Sequence, residues 1–384
     1  MTTLLSLLGK GDRTKGYRQA TYEFEPGFRR KVAYFGLALQ EYIKPDHLII
    51  AGTDSSMWDV FLSDQNLADD EPLLELIDAV QESRVTQAML NDYAPLLTAK
   101  LGCRVTCLLI PQARNEQEQV AILQALASNI NEHEQLTLDV THGFRHLPML
   151  ALVAARYLSH VRNIQVKALY YGAFEMSQND ITPVLNLASL LNMLDWVESL
   201  AVYDNNGDYS VFGPLLANDG MDKKKATLLE QAAFYERTGN PVKAAEKLST
   251  VFDDIRTHRG AMGTLFADAL AKRINWFRLG SRAEKERALA DAYFKHKDYL
   301  RATTYFYESE VTRATQDAKE DSNDFDERKR AFEAVETQAH KDLKYLRNSM
   351  AHGLRGTSSK ITQTLKDEPT LSTRLKDLFK KLRP

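Results

Sequence analysis

Near the end of the chain, Lys344-Tyr345-Leu346-Arg347-Asn348-Ser349-Met350-Ala351-His352-Gly353 sets a guanidinium and an imidazole five residues apart, with an amide directly after the first and a glycine directly after the second. Arginine holds a phosphate by charge and by paired N–H donors, and imidazole titrates near neutrality. Together they suit cleavage of a phosphodiester by proton transfer, with no metal required. Residues five apart on an ideal helix diverge by about 140°, so the two do not share a face. They can still meet at a helix terminus or across a dimer axis. The same residues also fit a basic helix end, where Arg347 and His352 complement the macrodipole and Gly353 supplies an αL cap.

Three further clusters of phosphate-compatible groups follow apolar runs in the first half. Leu4–Leu8 leads into Gly9-Lys10-Gly11-Asp12-Arg13, and His47–Ala51 into Gly52-Thr53-Asp54-Ser55-Ser56-Met57-Trp58. Leu136–Val140 leads into Thr141-His142-Gly143-Phe144-Arg145-His146-Leu147-Pro148, with Pro148 suited to the first turn of a helix. Backbone N–H groups, hydroxyls and cations at a strand's carboxyl end or over a helix N-terminus are the donors an anion needs. The alternatives are that Ser55 or Ser56 caps the next helix and that His142 and Arg145 are ordinary loop residues. The first turn has the Gly-x-Gly of a dinucleotide fingerprint, but Thr14 stands where a third glycine belongs, so it gives little support to a nicotinamide site.

The elements that must position these groups alternate. Strands are expected over 4–8, 47–51, 104–110, 136–140 and 165–171. Helices are expected over 29–42, 70–101, 116–130 and 148–158, which implies a parallel sheet covered on both faces. Open α/β sheets bind ligands at the carboxyl edge, and here that edge would gather Lys10, Arg13, Thr53, Ser55, His142 and Arg145 into an anion pocket. Residues 185–202 read as a helix and Tyr203–Asp208 as a hinge or excursion between domains. From Met221 the chain is almost wholly helical. Segments 228–248 and 287–313 share small and aromatic residues and read as helical hairpins of one bundle, and Asp321–Asp324 can cap the helix that carries Arg347 and His352.

A chain of 384 residues is too long for one typical core and implies two domains. Net charge is −3, yet from Lys341 to Pro384 there are 11 Lys and Arg against 4 Asp and Glu, so this end carries +7 and everything before it −10. A local basic surface attracts phosphate backbones, although a solvated helix face has the same composition. The two cysteines, Cys103 and Cys107, lie on one expected strand about 13 Å apart, too far for a disulfide and too few for a zinc site. A reducing compartment fits them. No basic n-region opens the chain and no run approaches the ~18 apolar residues of a membrane span, so a soluble cytoplasmic protein is expected.

Asp-x-Thr-His-Gly-Phe-Arg-His-x-Pro after a strand, Gly-Lys-Gly near the start and Gly-Thr-x-Ser-x-Met-Trp after the second strand resemble the CARF domain of CRISPR-associated ancillary proteins. With Arg-Asn-x-x-Ala-His near the end, the whole chain resembles the CARF–HEPN ribonucleases of type III CRISPR systems. The resemblance implies a Rossmann-like CARF domain over 1–195 and a helical HEPN domain over 196–384. It implies a homodimer, or a higher even oligomer, in which two copies of Arg347, Asn348 and His352 form one composite site. Such a site cuts single-stranded RNA without metal, leaving 2′,3′-cyclic phosphates. The activator would be a cyclic oligoadenylate, cyclic tetra-adenylate first, held by Lys10, Gly11, Arg13, Thr53, Asp54, Ser55, Thr141, His142, Gly143, Phe144 and Arg145. No cofactor is implied. Two other functions fit the same residues: a ligand-gated module that recruits a partner without cutting, and a first domain that degrades its own cyclic ligand.

Overall fold

The computed structural model describes residues 1–10, 17–25, 27–67, 70–353 and 358–382. The chain divides into two compact units, Met1–Leu191 and Asn192–Pro384. The first holds an eight-stranded sheet of β1 (Thr2–Leu8), β2 (Ala20–Phe24), β3 (Phe28–Val32), β4 (His47–Gly52), β5 (Arg104–Leu109), β6 (Gln135–Asp139), β7 (Gln165–Gly172) and β8 (Ile181–Asn186). Their order is β3-β2-β8-β7-β6-β1-β4-β5.

The five strands expected from apolar runs are present, and β5-β4-β1-β6-β7 pair in parallel. Alternate residues of β1 and β4 feed opposite cores. Leu4, Leu8, Leu48 and Ile50 pack under the helices Phe35–Ile43, Trp58–Asp64 and Asp70–Gln81. Leu5, Leu7, Ile49 and Ala51 pack under Glu116–Asn129 and His146–Val161. Burial on both faces is why these strands read as continuous hydrophobic runs.

A purely parallel sheet is nevertheless incorrect. β8 runs antiparallel to β7, β2 parallel to β8 and β3 antiparallel to β2, so the sheet is mixed. β3 places Arg29, Arg30 and Lys31 in succession on an exposed edge, a composition that blunts edge pairing and hides the strand from a hydrophobic search. The residues expected to open a helix at Arg29 therefore form a strand, and the helix starts only at Phe35. β8 contains Pro183, which lies where its pairing passes from β2 to β7, a position a ring without an N–H tolerates. The helix expected from Leu185 begins at Ala188 and continues to Asn206, so Tyr203–Asn206 are helical and not a hinge.

The second unit is all-helical in its described residues. Segment 228–248 is a hairpin of Lys223–Arg237 and Pro241–Arg256, divided where Asn240 caps the second helix and Pro241 occupies its first turn. Segment 287–313 is likewise a hairpin, Arg282–Lys295 and Tyr299–Asp317, opened by a Ser281–Glu284 capping box and re-capped by Asp298. Asp324 caps Phe325–Glu333, an intervening helix, and the helix carrying Arg347 and His352 is Gln338–His352 with Thr337 at its N-cap.

Among the ionisable groups of the first unit, His47 and Asp139 are enclosed and His142 is half-buried at the domain's cleft. Burial lowers His142 and His47 to about 4, with Arg104 adding to the effect on His47, while burial raises Asp139 to about 6 against the donors Ser6 and Thr141. The histidines contribute stability that is present above about pH 6.5 and lost as pH falls through 4. Asp139 contributes stability that is present below about pH 4 and lost as pH rises through 6. Asp139→Asn removes that opposing term. Its unfolding free energy should fall more steeply than the wild type's between pH 6.5 and 4.5, by on the order of 2 kcal/mol. Urea titrations at the two pH values test this, and parallel slopes would show that Asp139 is ionised throughout.

Candidate functional site

At the carboxyl edge of β1, β6 and β7 the first unit opens into a cleft of about 990 Å³ lined by Lys10, Tyr17, Arg18, Tyr22, Thr141, His142, Gly143, Arg145, Tyr171, Phe174 and Glu175, among others. One buried carboxyl holds the loop that lines it. Asp139, the last residue of β6, accepts from Ser6 Oγ of β1 (2.5 Å) and from the Thr141 N–H (2.8 Å). Thr141 Oγ1 in turn accepts from the Gly172 N–H at the end of β7 (2.9 Å). The loop holding His142 is thereby fastened to three strands.

His142 does not enter this cleft as a cation. Its Nε2 accepts from the Phe35 N–H (3.2 Å), so the proton belongs on Nδ1, and its ring stacks on Tyr34 and meets the edge of Tyr17. Burial, which holds it near 4, keeps it neutral at physiological pH. Gly143 sits at φ +101°, and a Cβ on Gly9 would lie 2.6 Å from the Gly143 nitrogen. The two loops therefore approach backbone to backbone, and both positions require glycine.

The cations stand at the rim. Lys10, Arg18 and Arg145 are exposed, and among the described residues none of the three is in an ion pair. Arg18 lies over the Phe174 ring at 4.5 Å. Tyr17, Arg18 and Phe174 escaped the sequence analysis, since no strand end or glycine turn announces them. Gly11 and Arg13 lie outside the described residues.

The Thr53–Ser55 segment does not line this cleft, contrary to the expected pocket. Thr53 and Ser55 are buried. The Thr53 N–H donates to Ser56 Oγ (2.8 Å), Ser56 Oγ donates to the Leu8 carbonyl (2.8 Å), and the Trp58 indole donates to the Thr53 carbonyl (3.0 Å). These hydroxyls fold the β4 turn onto β1, and neither Ser55 nor Ser56 is the cap of the following helix, whose N-cap is Met57. Asp54 accepts from the Gln112 amide (2.6 Å), and Phe144 packs on the core and stacks with His146.

In the second unit, Leu343, Leu346 and Ser349 form the buried face of Gln338–His352. The Thr337 N–H donates to His340 Nδ1 (3.0 Å), which leaves Nε2–H to donate to Glu310 (3.3 Å). Asp342 accepts from Gln338 and Lys360 (both 2.9 Å) and is paired with Arg374. Burial alone would raise its carboxyl, but these donors hold it below the usual range.

Arg347 lies half-buried over the Tyr307 ring at 4.6 Å, donates to Asn348 Oδ1 (2.9 and 3.2 Å) and stands 3.7 Å from Glu308. His352 is exposed at the last position of the helix, and among the described residues Arg347 bonds Asn348 and faces Glu308 and Tyr307 but makes no hydrogen bond to His352. Gly353 ends the helix at φ 80°, ψ 173°, which demands glycine but is not the expected αL cap.

Among the described residues, no group of three or more His, Cys, Asp and Glu side chains gathers as metal ligands would, and no helix is long and apolar enough to cross a membrane.

Residues 3–175 match the family described as the CARF domain of the CRISPR system endoribonuclease Csx1. A CRISPR-associated protein of Methanocaldococcus jannaschii, MJ1674, is 23% identical over 261 residues, covering 61% of this chain and 41% of that protein. The chain thus matches well under half the length of that curated relative.

His142→Ala removes both the acceptor of a buried N–H and a ring packed between two tyrosines, and should cost about 2–4 kcal/mol. Lys10→Ala and Arg145→Ala, at exposed positions, should stay within about 0.5 kcal/mol of wild type. Chemical denaturation reads both. A wild-type midpoint for His142→Ala would mean that the ring is not part of the floor.

Proposed function

We propose, from the premise that the first unit is a CARF domain of the CRISPR-associated ancillary proteins, that this chain is a ribonuclease switched on by a cyclic oligoadenylate. The observation that carries the reading is the cleft at the carboxyl edge of β1, β6 and β7. Three cations, Lys10, Arg18 and Arg145, which among the described residues are in no ion pair, ring a wall of tyrosines in the domain that the family match covers. Phosphates of a cyclic oligoadenylate would meet the cations, and adenines would stack on Tyr17, Tyr171 or Phe174. Neutral His142, carrying its proton on Nδ1, would act as a hydrogen-bond donor and not as a counter-ion.

The ribonuclease half rests on Arg347, Asn348 and His352. The 2′-hydroxyl of the RNA attacks the adjacent phosphorus and the bond to the 5′-oxygen breaks. A 2′,3′-cyclic phosphate forms and the leaving oxygen takes a proton. Imidazole suits both proton transfers, and the guanidinium suits the charge gathering on the phosphate. Because Arg347 and His352 diverge on one helix, a second copy would complete the site, and two copies would also present two clefts to one ring. The ring can activate only by favouring the cutting-competent pairing over the resting one.

Cleavage of a fluorescent single-stranded RNA in EDTA, with cyclic tri-, tetra- and hexa-adenylate in turn, tests the reading. One ring, tetra-adenylate first, should switch on cutting. His352→Ala and Arg347→Ala should each lose at least a hundredfold in rate. Lys10→Ala or Arg145→Ala should raise the ring concentration needed while leaving the saturated rate in place. Cutting that persists in His352→Ala would move the chemistry elsewhere. Ring binding without cutting, in wild type, would leave a sensor that acts by recruiting a partner. Loss of the ring itself, in His352→Ala but not in Lys10→Ala, would assign a ring-degrading activity to the first unit.

A further inference from the structure

The solvent face of Gln338–His352 carries more than the groups proposed to cut. Lys341, Tyr345, Asn348 and His352 follow one another at intervals of four, three and four residues. On a helix of 3.6 residues per turn they fall within about 60° of one another, and Lys344 borders the same stripe on the side of Arg347. His340, Asp342, Leu343, Leu346 and Ser349 take the buried side. Asn348 and His352 therefore share one face with two lysines and an aromatic ring.

Tyr345 is 56% exposed, and among the described residues its ring pairs with no other ring and its hydroxyl makes no hydrogen bond. Phe234 and Phe325 are at least as exposed, and neither lies on this helix. An exposed tyrosine is in itself ordinary surface. Its place is what matters: seven residues before His352, it stands two turns away along the same face, about 10.5 Å by helical rise. Lys341 is exposed, its ammonium 3.9 Å from Glu336, and Lys344 is exposed and, among the described residues, in no ion pair. The face also lies in the basic end of the chain, which carries +7 from Lys341 onward. Lysines along a face attract the phosphates of a strand, and an open ring between them offers a base somewhere to stack. A duplex keeps its bases stacked on one another and would leave the ring unused. A second copy packed along this stretch would bring like charges together, whereas a polyanion is attracted to it.

We propose that Lys341, Lys344 and Tyr345 form the track that holds the RNA strand beside the cutting groups. Tyr345 stacks a base near the scissile phosphate, and the two lysines hold the backbone of the strand. The inference rests on the reading of Arg347, Asn348 and His352 as a ribonuclease site. The three are positioning residues, which neither give nor take a proton in the reaction. Because stacking accepts every base, this track selects an unpaired strand without selecting its sequence.

Fluorescence anisotropy on the full chain carrying His352→Ala, with and without cyclic tetra-adenylate, tests this with a labelled single-stranded RNA, the same strand lacking its bases, and the same strand in a duplex. Tyr345→Ala should weaken the intact single strand fivefold or more and leave the abasic strand and the duplex within twofold, and Tyr345→Phe should restore the affinity. Lys341→Ala/Lys344→Ala should weaken intact and abasic strands alike and flatten the slope of log K against log salt by about 1.4. With His352 intact, Tyr345→Ala should raise KM more than it lowers kcat. No binding of the single strand, equal losses of Tyr345→Ala on intact and abasic strands, or unchanged affinities in both variants would overturn the proposal. A weaker dimer of Tyr345→Ala in sedimentation would overturn it too, assigning the ring to contact between two copies. Tyr345-dependent binding in a chain that never cuts would keep the track and remove the ribonuclease reading, and His352-dependent cutting indifferent to Tyr345 would do the reverse.

Discussion

The first unit depends on one buried carboxyl. Among the described residues Asp139 has no cationic partner, and its two oxygens are satisfied by a hydroxyl from β1 and an amide N–H from its own loop. Ser6 passes the network on to the Tyr34 hydroxyl (2.6 Å), whose ring stacks on His142, and Thr141 passes it to β7. Removing any one of these groups would leave a polar atom unpaired in the core, a cost larger than the net gain from making such a bond. The network therefore fixes the position of the His142 loop more strictly than apolar packing would. Burial shifts His142 and Asp139 in opposite directions because it disfavours the charged form of each, while the donors Ser6 and Thr141 oppose the shift of Asp139.

Strands buried on both faces are legible in the sequence because continuous apolar runs have few other uses. The five parallel strands and the turns after them belong to this class. The three other strands are not legible for particular reasons: β3 carries three cations on an exposed edge, β8 contains a proline, and β2 alternates over only five residues. Residue type at a strand's end identifies the loops but not which of their side chains face outward. Thr53, Ser55 and His142 are all phosphate-compatible in principle, yet the first two are consumed in folding the β4 turn and the third accepts from Phe35. Lys10 and Arg145 line the cleft, while Tyr17 and Arg18 arrive there in the segment that leads into β2, a strand that the sequence conceals.

A different division governs the helix Gln338–His352. Its first half is anchored twice, by His340 on Glu310 and by Asp342 on Lys360 and Arg374, and its middle by Leu343 and Leu346. Its last turn carries Ala351 and His352 exposed. Five residues along such a helix advance about 7.5 Å and turn about 140°, so fraying would have to undo more than one turn before His352 met Arg347 in the same chain. The anchors oppose that. On the proposed reading, completion of the site falls to association of two copies and not to rearrangement of one.

That consequence limits where a cyclic ligand can act. A ring that merely tightened one cleft would leave Arg347 and His352 as far apart as before, since neither belongs to the cleft and the helix that carries them is fixed within its own unit. To promote cutting, the ring must bind one arrangement of two copies better than another, and the difference in its affinity for the two bounds the activation it can produce. Cations on rim positions are suited to this task. Among the described residues Lys10, Arg18 and Arg145 are in no ion pair, so a polyanion shared by two clefts would neutralise both sets, whereas a mononucleotide would satisfy one and reward no pairing. On the proposed reading, a two-fold arrangement of cationic rims would select a multiply charged, symmetric ligand over a monomeric one, without any contact that reads its bases.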